Sequence, residues 1–361
     1  MSGLLLELFE VLAALAAIML ISIDAARPFR KREELLKGNY HPKTLVIVPC
    51  KGTDISLRQN LIALKRQKYK SYRVIAVVDS EEDPALSEIR KAGINHMVSD
   101  VSSGRASGKV KAIAAALQRF RDYDVYVIAD SDISVHNAWL SSIIAPLADK
   151  RIGISTTYPR FHPMGGFWPK VKMVWNFVGE NLLENKKSRF AWGGTMAFRK
   201  SLLQGKSMSY FKNSRYSISD DITLTKICKG KGLGIAYVKE AQPIVKTKDD
   251  LSQFMEWANR QTALTLLGYR ENFRRGLFFY CSEIFVLISA IYLSASVSPL
   301  FLLMFAHLVL SWKRAYARSR SPDPAIAIIV MLIPFIYAYN LMSARMMKSI
   351  TWRGSTYALY K

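Results

Sequence analysis

From Thr44 onward, short runs of consecutive apolar residues alternate with stretches whose apolar positions recur every three or four residues. The consecutive runs predict strands, at 44–49, 72–78 and 125–129. The stretches between them predict helices, at 57–67 and 109–120. Strands that are apolar on both faces and separated by helices are typical of a parallel sheet with crossover helices. The pattern therefore predicts an α/β domain over residues 43–250.

Acidic side chains stand where these predicted elements end or begin. Asp79 follows the second strand, Asp130 and Asp132 follow the third, and Asp220 and Asp221 begin a later predicted helix. The carboxyl ends of parallel strands meet at one sheet edge, where ligands bind, and an Asp-x-Asp pair presents hard oxygen ligands to Mg²⁺ or Mn²⁺. A structural explanation stays open, because Asp also favours turns and the first turn of a helix.

The N-terminal segment is apolar over one membrane thickness. Residues 3–23 carry only Glu7 and Glu10 as charges, and a helix of this length spans about 30 Å at roughly 1.5 Å per residue. A cleaved signal peptide would carry its positive charge before the apolar run, whereas here a basic linker at 25–42 follows it. The positive-inside rule then predicts an anchor at 1–24 and places the α/β domain on the cytoplasmic face of the membrane.

Apolar runs return near the C-terminus. Residues 277–344 contain three runs, at 277–297, 299–312 and 325–344, so we expect about three transmembrane helices. The preceding segment, 251–276, is amphipathic and suits the membrane interface or a core helix. An anchor plus three further spans would export the basic tail at 345–361, against the positive-inside rule. Either one run does not cross the membrane or the tail is an exception.

Charge and cysteine content narrow the class of partner. The net charge is +23 and the hydrophobic share is 50%, with basic residues crowded beside apolar runs, which favours an anionic membrane surface. No sequence motif of a nucleic-acid-binding module is present, so we expect no nucleic-acid partner. Cys50, Cys228 and Cys281 lack paired spacing, which argues against a disulfide framework or a thiolate metal site.

Lys109 closes a glycine-containing segment, Gly104-Arg105-Ala106-Ser107-Gly108-Lys109. The segment does not have phosphate-loop spacing, which needs four residues between the glycines and a Ser or Thr where Val110 stands. A basic, glycine-containing helix start can nevertheless contact a diphosphate. Lys109 is therefore a candidate nucleotide ligand, with an ordinary solvated loop as the alternative.

Six motifs follow one another along the chain: Val48-Pro49-Cys50-Lys51-Gly52, Val78-Asp79-Ser80, Ile128-Ala129-Asp130-Ser131-Asp132, Trp192-Gly193-Gly194-Thr195, Asp220-Asp221 and Ile350-Thr351-Trp352-Arg353-Gly354. In this order they resemble the family 2 and family 21 membrane glycosyltransferases, most of all the ceramide-glucosyltransferase-like branch. The resemblance covers roughly residues 40–265 together with the tail motif.

The resemblance implies a GT-A fold and inverting transfer of a sugar from a nucleoside-diphosphate sugar, such as UDP-glucose, with Mg²⁺ or Mn²⁺ as cofactor. Asp79 would contact the nucleotide base, Asp130 and Asp132 would hold the diphosphate through the metal ion, and Asp221, or less favourably Asp220, would be the general base. The other residues expected at the nucleotide-sugar site are Pro49, Lys51, Lys109, Gly193, Gly194 and Arg260.

One motif departs from the family. Arg260 fits the first position of a Gln/Arg-x-x-Arg-Trp motif, but Ala263 and Leu264 stand in place of its arginine and tryptophan. The departure leaves open how the acceptor and the leaving diphosphate are held, and it argues against a processive polymer synthase. It also supports the alternative of a non-catalytic membrane scaffold or nucleotide sensor, whereas the complete set of acids favours an enzyme with a lipid or other membrane-bound acceptor.

Overall fold

The computed structural model describes residues 3–26, 40–99, 106–204, 218–320 and 323–359. Gly104 and Arg105, most of the predicted basic linker and the last two residues of the predicted tail lie outside the described residues.

The strands are β1 (Thr44–Pro49), β2 (Tyr72–Val78), β3 (Asn95–Val98), β4 (Val125–Ala129), β5 (Ile133–Ser134), β6 (Ile152–Thr156), β7 (Arg160–Pro163), β8 (Thr195–Arg199), β9 (Gly234–Tyr237), β10 (Ile244–Thr247), β11 (Ser349–Trp352) and β12 (Ser355–Ala358). The helices are α1 (Gly3–Ala26), α2 (Leu57–Lys65), α3 (Ala85–Lys91), α4 (Gly108–Arg119), α5 (Trp139–Ile144), α6 (Trp168–Glu184), α7 (Asp220–Gly230), α8 (Leu251–Gly268), α9 (Arg270–Ser296), α10 (Ala306–Ser319) and α11 (Ala325–Met346).

The central sheet has the strand order β3-β2-β1-β4-β8-β6-β9. Its first four strands are parallel, so the ends of β1, β2 and β4 meet at one edge, as the sequence predicts. Strand β8 runs antiparallel to both β4 and β6, and the pairing of Ala129 with Thr195 places the start of β8 at that same edge. A smaller sheet, β5-β10-β7, lies beside it.

Strand β1 is buried on both faces, as its uninterrupted apolar run predicts. Successive side chains of a strand point to opposite faces, so Val46 and Val48 join one core cluster whereas Leu45 and Ile47 join another. The two clusters therefore pack against the sheet from both sides.

Among the described residues, three helices are long and apolar enough to cross a membrane by length and composition: α1, α9 and α11. The predicted run 299–312 instead forms a 3₁₀ helix, Pro299–Phe305, followed by α10. Helix α1, the second half of α9 and this 3₁₀ helix share a separate apolar cluster that includes Leu20, Leu293 and Met304. Arg314 of α10 pairs with Asp24 near the end of α1, at 3.0 Å.

Helix α11 lies along the α/β domain. The Tyr337 hydroxyl donates to the Trp175 carbonyl oxygen at 2.6 Å, and Asn340 accepts from the Trp175 indole N–H at 3.1 Å and donates to Asn259 at 2.8 Å. Asp323, just before the helix, pairs with Lys170 at 2.6 Å. Helix α11 packs against α6 and α8, and the hairpin that follows it contacts the loop after β1 and the start of α4.

The predicted amphipathic segment at 251–276 covers two elements, α8 and the first turns of α9. Phe254, Ala258 and Ala263 of α8 are buried in the larger core cluster. This burial agrees with the core-helix interpretation of that part of the segment.

Candidate active site

A pocket of about 560 Å³ opens at the sheet edge where β1, β2 and β4 end. Its lining includes Pro49, Lys51, Asp79, Lys109, Asp130, Asp132, Asp221 and Arg260, eight of the residues that the sequence predicts for the site. Gly193, Gly194 and Asp220 lie behind this lining and contact it through Lys109 and Asp130. The structure thus brings together the three acidic positions that are separated along the chain.

Lys109 is the cation at the centre of this arrangement. Its ammonium lies 2.7 Å from Asp130 Oδ1 and 3.5 Å from Asp220 Oδ2, and it donates to the Gly193 carbonyl oxygen at 3.1 Å. Burial by itself lowers the pKa of Lys109, but the nearby carboxylates of Asp130 and Asp220 outweigh that effect and raise it. Lys109 therefore carries its charge inside the pocket wall.

The two acids at the start of α7 point in different directions. Asp220 is 3% exposed and faces Lys109, whereas Asp221 lines the pocket. The Asp221 carboxylate accepts hydrogen bonds from the Ile222 backbone N–H, at 2.7 Å, and from the Ser219 hydroxyl. Burial, followed by repulsion from Asp220, raises the pKa of Asp221 to about 7. A carboxyl group with this pKa both releases and accepts a proton near neutral pH.

Two consecutive glycines let the backbone approach this cluster. The Gly194 carbonyl oxygen accepts from the Asp130 backbone N–H at 3.0 Å, which fixes the turn after β4. A Cβ at Gly193 would lie 3.1 Å from Lys109 Nζ, and one at Gly194 would lie 2.1 Å from the Trp192 ring. A side chain at either position would displace Lys109 or the indole.

Asp130 and Asp132 have the chemistry of a shared metal site. Burial, together with the charges of Asp130 and Asp54, raises the pKa of Asp132 to about 7. The turn after β4 therefore holds more negative charge than the nearby cationic side chains balance. Within the described ranges, no group of three or more His, Cys, Asp or Glu side chains forms a metal cage. Two carboxylates suit Mg²⁺ or Mn²⁺, which take their remaining ligands from water and substrate phosphates. The pair therefore fits a divalent cation bound together with a phosphate group.

The C-terminal hairpin supplies pocket residues to which the sequence analysis gave no site role. Trp352, Arg353 and Tyr357 line the pocket, and Arg353 pairs with Asp54 at 2.6 Å. Asp54 also accepts a hydrogen bond from the hydroxyl of Ser131, which stands between Asp130 and Asp132. The tail motif could have indicated the hairpin, because a residue followed by Gly, here Arg353-Gly354, between two short strand-like runs suits a two-residue hairpin turn.

A second cavity, of about 810 Å³, lies next to the pocket and shares part of its lining. Both are lined by Trp175, Val178, Leu182, Thr265 and Asn272. The second cavity reaches Ile23 and Ala26 at the end of α1, and apolar side chains of α9 such as Phe278 and Phe279 line it. The Tyr237 hydroxyl is buried in its wall and has no hydrogen-bond partner among the described residues.

Comparison with protein families gives a match to the model of glycosyl transferase family 21 over residues 8–361. The chain belongs to glycosyltransferase family 21. The resemblance of its six motifs is thereby confirmed, as is the prediction of an enzyme that transfers a sugar. No curated protein sequence matches the chain.

Among solved structures, this family 21 protein is similar to a mannosyltransferase from Pyrobaculum calidifontis solved with GDP-Man and Mn²⁺. The TM-score is 0.58 at 15% identity, over 91% of this chain and 99% of that one. A glucosyl-3-phosphoglycerate synthase from Mycobacterium tuberculosis matches 62% of this chain and 79% of its own, at 15% identity and a TM-score of 0.42. The likeness to the mannosyltransferase confirms the GT-A fold.

We expect Lys109→Gln to destabilise the family 21 protein. The change leaves Asp220 buried without its ion-pair partner, and breaking a buried pair from one side costs about 3–5 kcal/mol. Thermal unfolding in detergent at pH 8, without nucleotide, measures the loss. The double variant Lys109→Gln/Asp220→Asn should recover most of it, and Lys111→Gln on the same helix serves as the control. Equal unfolding temperatures for Lys109→Gln and the wild type would contradict this role of Lys109.

Proposed function

We propose that the protein is a metal-dependent, inverting glycosyltransferase that moves a sugar from a nucleoside-diphosphate sugar to the hydroxyl group of a membrane lipid. The observation that carries the proposal is the meeting of Asp79, the Asp130–Asp132 pair and Asp221 in one pocket that lies next to a largely apolar cavity. The family gives the reaction class, and the positions of these residues in the pocket are the basis for the role proposed for each of them.

The donor binds at the sheet edge. Asp79 lines the pocket, pairs with Lys51 at 3.2 Å, and would contact the nucleotide base. Asp130 and Asp132 would hold Mg²⁺ or Mn²⁺ together with the donor diphosphate, and the bound cation would stabilise the charge that develops on the leaving phosphate. The similar mannosyltransferase was solved with GDP-Man and Mn²⁺. We propose a UDP-sugar as donor because the motifs are most similar to the ceramide-glucosyltransferase-like branch. GDP-sugars are the alternative donors in the experiment below.

Asp221 is the proposed general base. It removes the proton of the acceptor hydroxyl as the oxygen attacks the anomeric carbon, a contribution that is typically about 10²–10⁴-fold in rate. Asp220 faces Lys109 and so holds the cation in place. Direct attack by the acceptor, without an enzyme nucleophile on the opposite face of the sugar, inverts the configuration at that carbon.

The acceptor enters through the second cavity. Its volume, about 810 Å³, lies within the range of about 300–1,000 Å³ that ligand sites occupy. Its apolar wall suits a hydrocarbon chain, while Glu184, Lys239 and Arg275 on its lining suit a polar headgroup. The lining extends from the end of α1, a candidate membrane span, to residues shared with the pocket that holds Asp221, so a lipid in this cavity would lie near the proposed general base. The basic residues after α1 favour a cytoplasmic position for this domain.

The first experiment measures release of free nucleoside diphosphate by the detergent-purified protein, with Mn²⁺ or Mg²⁺, UDP- and GDP-sugars and a lipid extract. Lipid-dependent release from one donor is expected, and a chelator should abolish it. Asp221→Asn should lower turnover at least about 10²-fold, the scale of general-base catalysis, and should still bind nucleotide. Asp132→Ala should lose the metal-dependent part of nucleotide binding, whereas Asp122→Asn, 93% exposed, is the control. A wild type that binds nucleotide yet stays silent with every donor would favour the scaffold or sensor alternative.

The rate should depend on pH through Asp221. Its raised pKa, about 7, means that the active carboxylate is lost as the pH falls below neutrality. With donor and metal saturating, kcat/KM for the acceptor should rise by about tenfold per pH unit up to pH 7 and then level off. An aspartate with an ordinary pKa, about 3.9, would give a flat profile over pH 5–7. The residual activity of Asp221→Asn should not show this rise below pH 7.

Filling the second cavity should impair use of the acceptor alone. Gly276 lines it, and a Cβ there would meet only Leu341, at 4.0 Å, so Gly276→Phe places a ring in the open space. We expect the KM for the lipid acceptor to rise tenfold or more while the Kd for nucleotide stays unchanged. Cys281→Phe, on the exposed side of the same helix, is the control. An unchanged acceptor KM would rule out this entry route.

A further inference from the structure

The C-terminal hairpin turns at two residues whose backbones are both left-handed. Arg353 has φ 47° and Gly354 has φ 75°, the pattern of a type I′ turn between β11 and β12. Few residues other than glycine adopt such a φ, so an arginine at this position carries a backbone cost that the contacts of its side chain must offset.

Three contacts hold the hairpin across the pocket. Arg353 bonds through Nη2 to Asp54 Oδ1, at 2.6 Å, and through Nη1 to the Lys51 carbonyl oxygen. The Gly108 backbone N–H donates to the Tyr357 hydroxyl at 3.4 Å. The hairpin therefore bridges the loop after β1 and the start of α4, the two segments that flank the proposed diphosphate site.

The Arg353 guanidinium faces the crowded carboxylates. Asp54, Asp132 and Asp130 raise the pKa of Arg353, although burial by itself would lower it. The side chain remains 35% exposed, and a guanidinium has five N–H donors in a planar fork that matches phosphate oxygens. Its charge is thus available on the pocket side of the hairpin.

Helix α8 does not bring a second arginine to this place. Ala263 is buried in the core and Leu264 lines the pocket, at the positions where the family motif has its arginine and tryptophan. Trp352 instead lies beside α8, its ring centre 5.7 Å from the guanidinium carbon of Arg260. An indole and a guanidinium from the tail thus stand next to a helix that has Ala263 and Leu264 where the family motif has its arginine and tryptophan.

We propose that Arg353, carried by the C-terminal hairpin, binds the diphosphate of the donor and of the leaving nucleotide, in place of the arginine that α8 lacks at position 263. This inference rests on the proposed function, because it assigns a ligand for the same donor. Arg353 stabilises the negative charge that develops as the bond between the sugar and the diphosphate breaks, and the hairpin closes the donor side of the pocket.

The test compares ligands that differ only in phosphate. The Kd values of UDP and UMP, and of GDP and GMP, are measured by calorimetry with Mn²⁺ for the wild type, Arg353→Gln and Arg353→Lys, with Lys348→Gln as an exposed basic control near the hairpin. In Arg353→Gln the preference for diphosphate over monophosphate should fall at least tenfold. Arg353→Lys should recover part of it, and kcat of the transfer should fall without a change in acceptor KM.

Two results would overturn the inference. An unchanged preference for diphosphate in Arg353→Gln would exclude contact with the diphosphate. An equal loss of diphosphate and monophosphate binding, together with a lower unfolding temperature, would show that Arg353 only latches the hairpin to Asp54. If Arg353→Gln does not fold, Arg353→Lys distinguishes the two roles. A bidentate contact with the diphosphate predicts a weaker preference for diphosphate over monophosphate in this variant, whereas a purely structural bond to Asp54 predicts no change in that preference. A wild type that binds neither diphosphate would instead count against the proposed function.

Discussion

The chain concentrates negative charge at one edge of a buried sheet, and much of the molecule is arranged to compensate it. Asp54, Asp130, Asp132, Asp220 and Asp221 lie together, and burial raises the pKa values of the last three. Carboxylates in such a place are stable only when cations stand beside them. Lys109 provides one cation from α4 and Arg353 provides another from the tail. The remaining excess of negative charge suits a divalent ion.

The two adjacent acids at the start of α7 differ in whether a cation balances their charge. Asp220 is held by Lys109, whereas Asp221, one residue later, lines the open pocket with a pKa near neutrality. Their different environments follow from the start of α7, since adjacent residues in the first helical turn point about 100° apart. One acid can then stabilise the cation while its neighbour exchanges a proton.

The apolar helices border a second cavity beside the pocket, which is the proposed route for a lipid acceptor. Helix α11 packs on α6 and α8 through Trp175, Tyr337 and Asn340, and the hairpin after it contacts the start of α4, beside the proposed donor site. The second cavity opens on the other side, toward the end of α1. Donor and acceptor would thus approach Asp221 from different directions.

The pattern of apolar residues predicts the α/β alternation and the strands β1, β2 and β4, with acids directly after β2 and β4. Local signals suffice for these, because runs of apolar residues and turn-forming acids depend on neighbouring positions only. Arg260 and Lys109 were also found, from motif order and from a basic helix start. Three features appear only in the folded chain: Asp220 faces Lys109, α11 lies along the domain, and Arg353 reaches a carboxylate 299 residues away. Such contacts join segments far apart in the chain, and no periodicity or spacing records which surfaces meet when the helices pack.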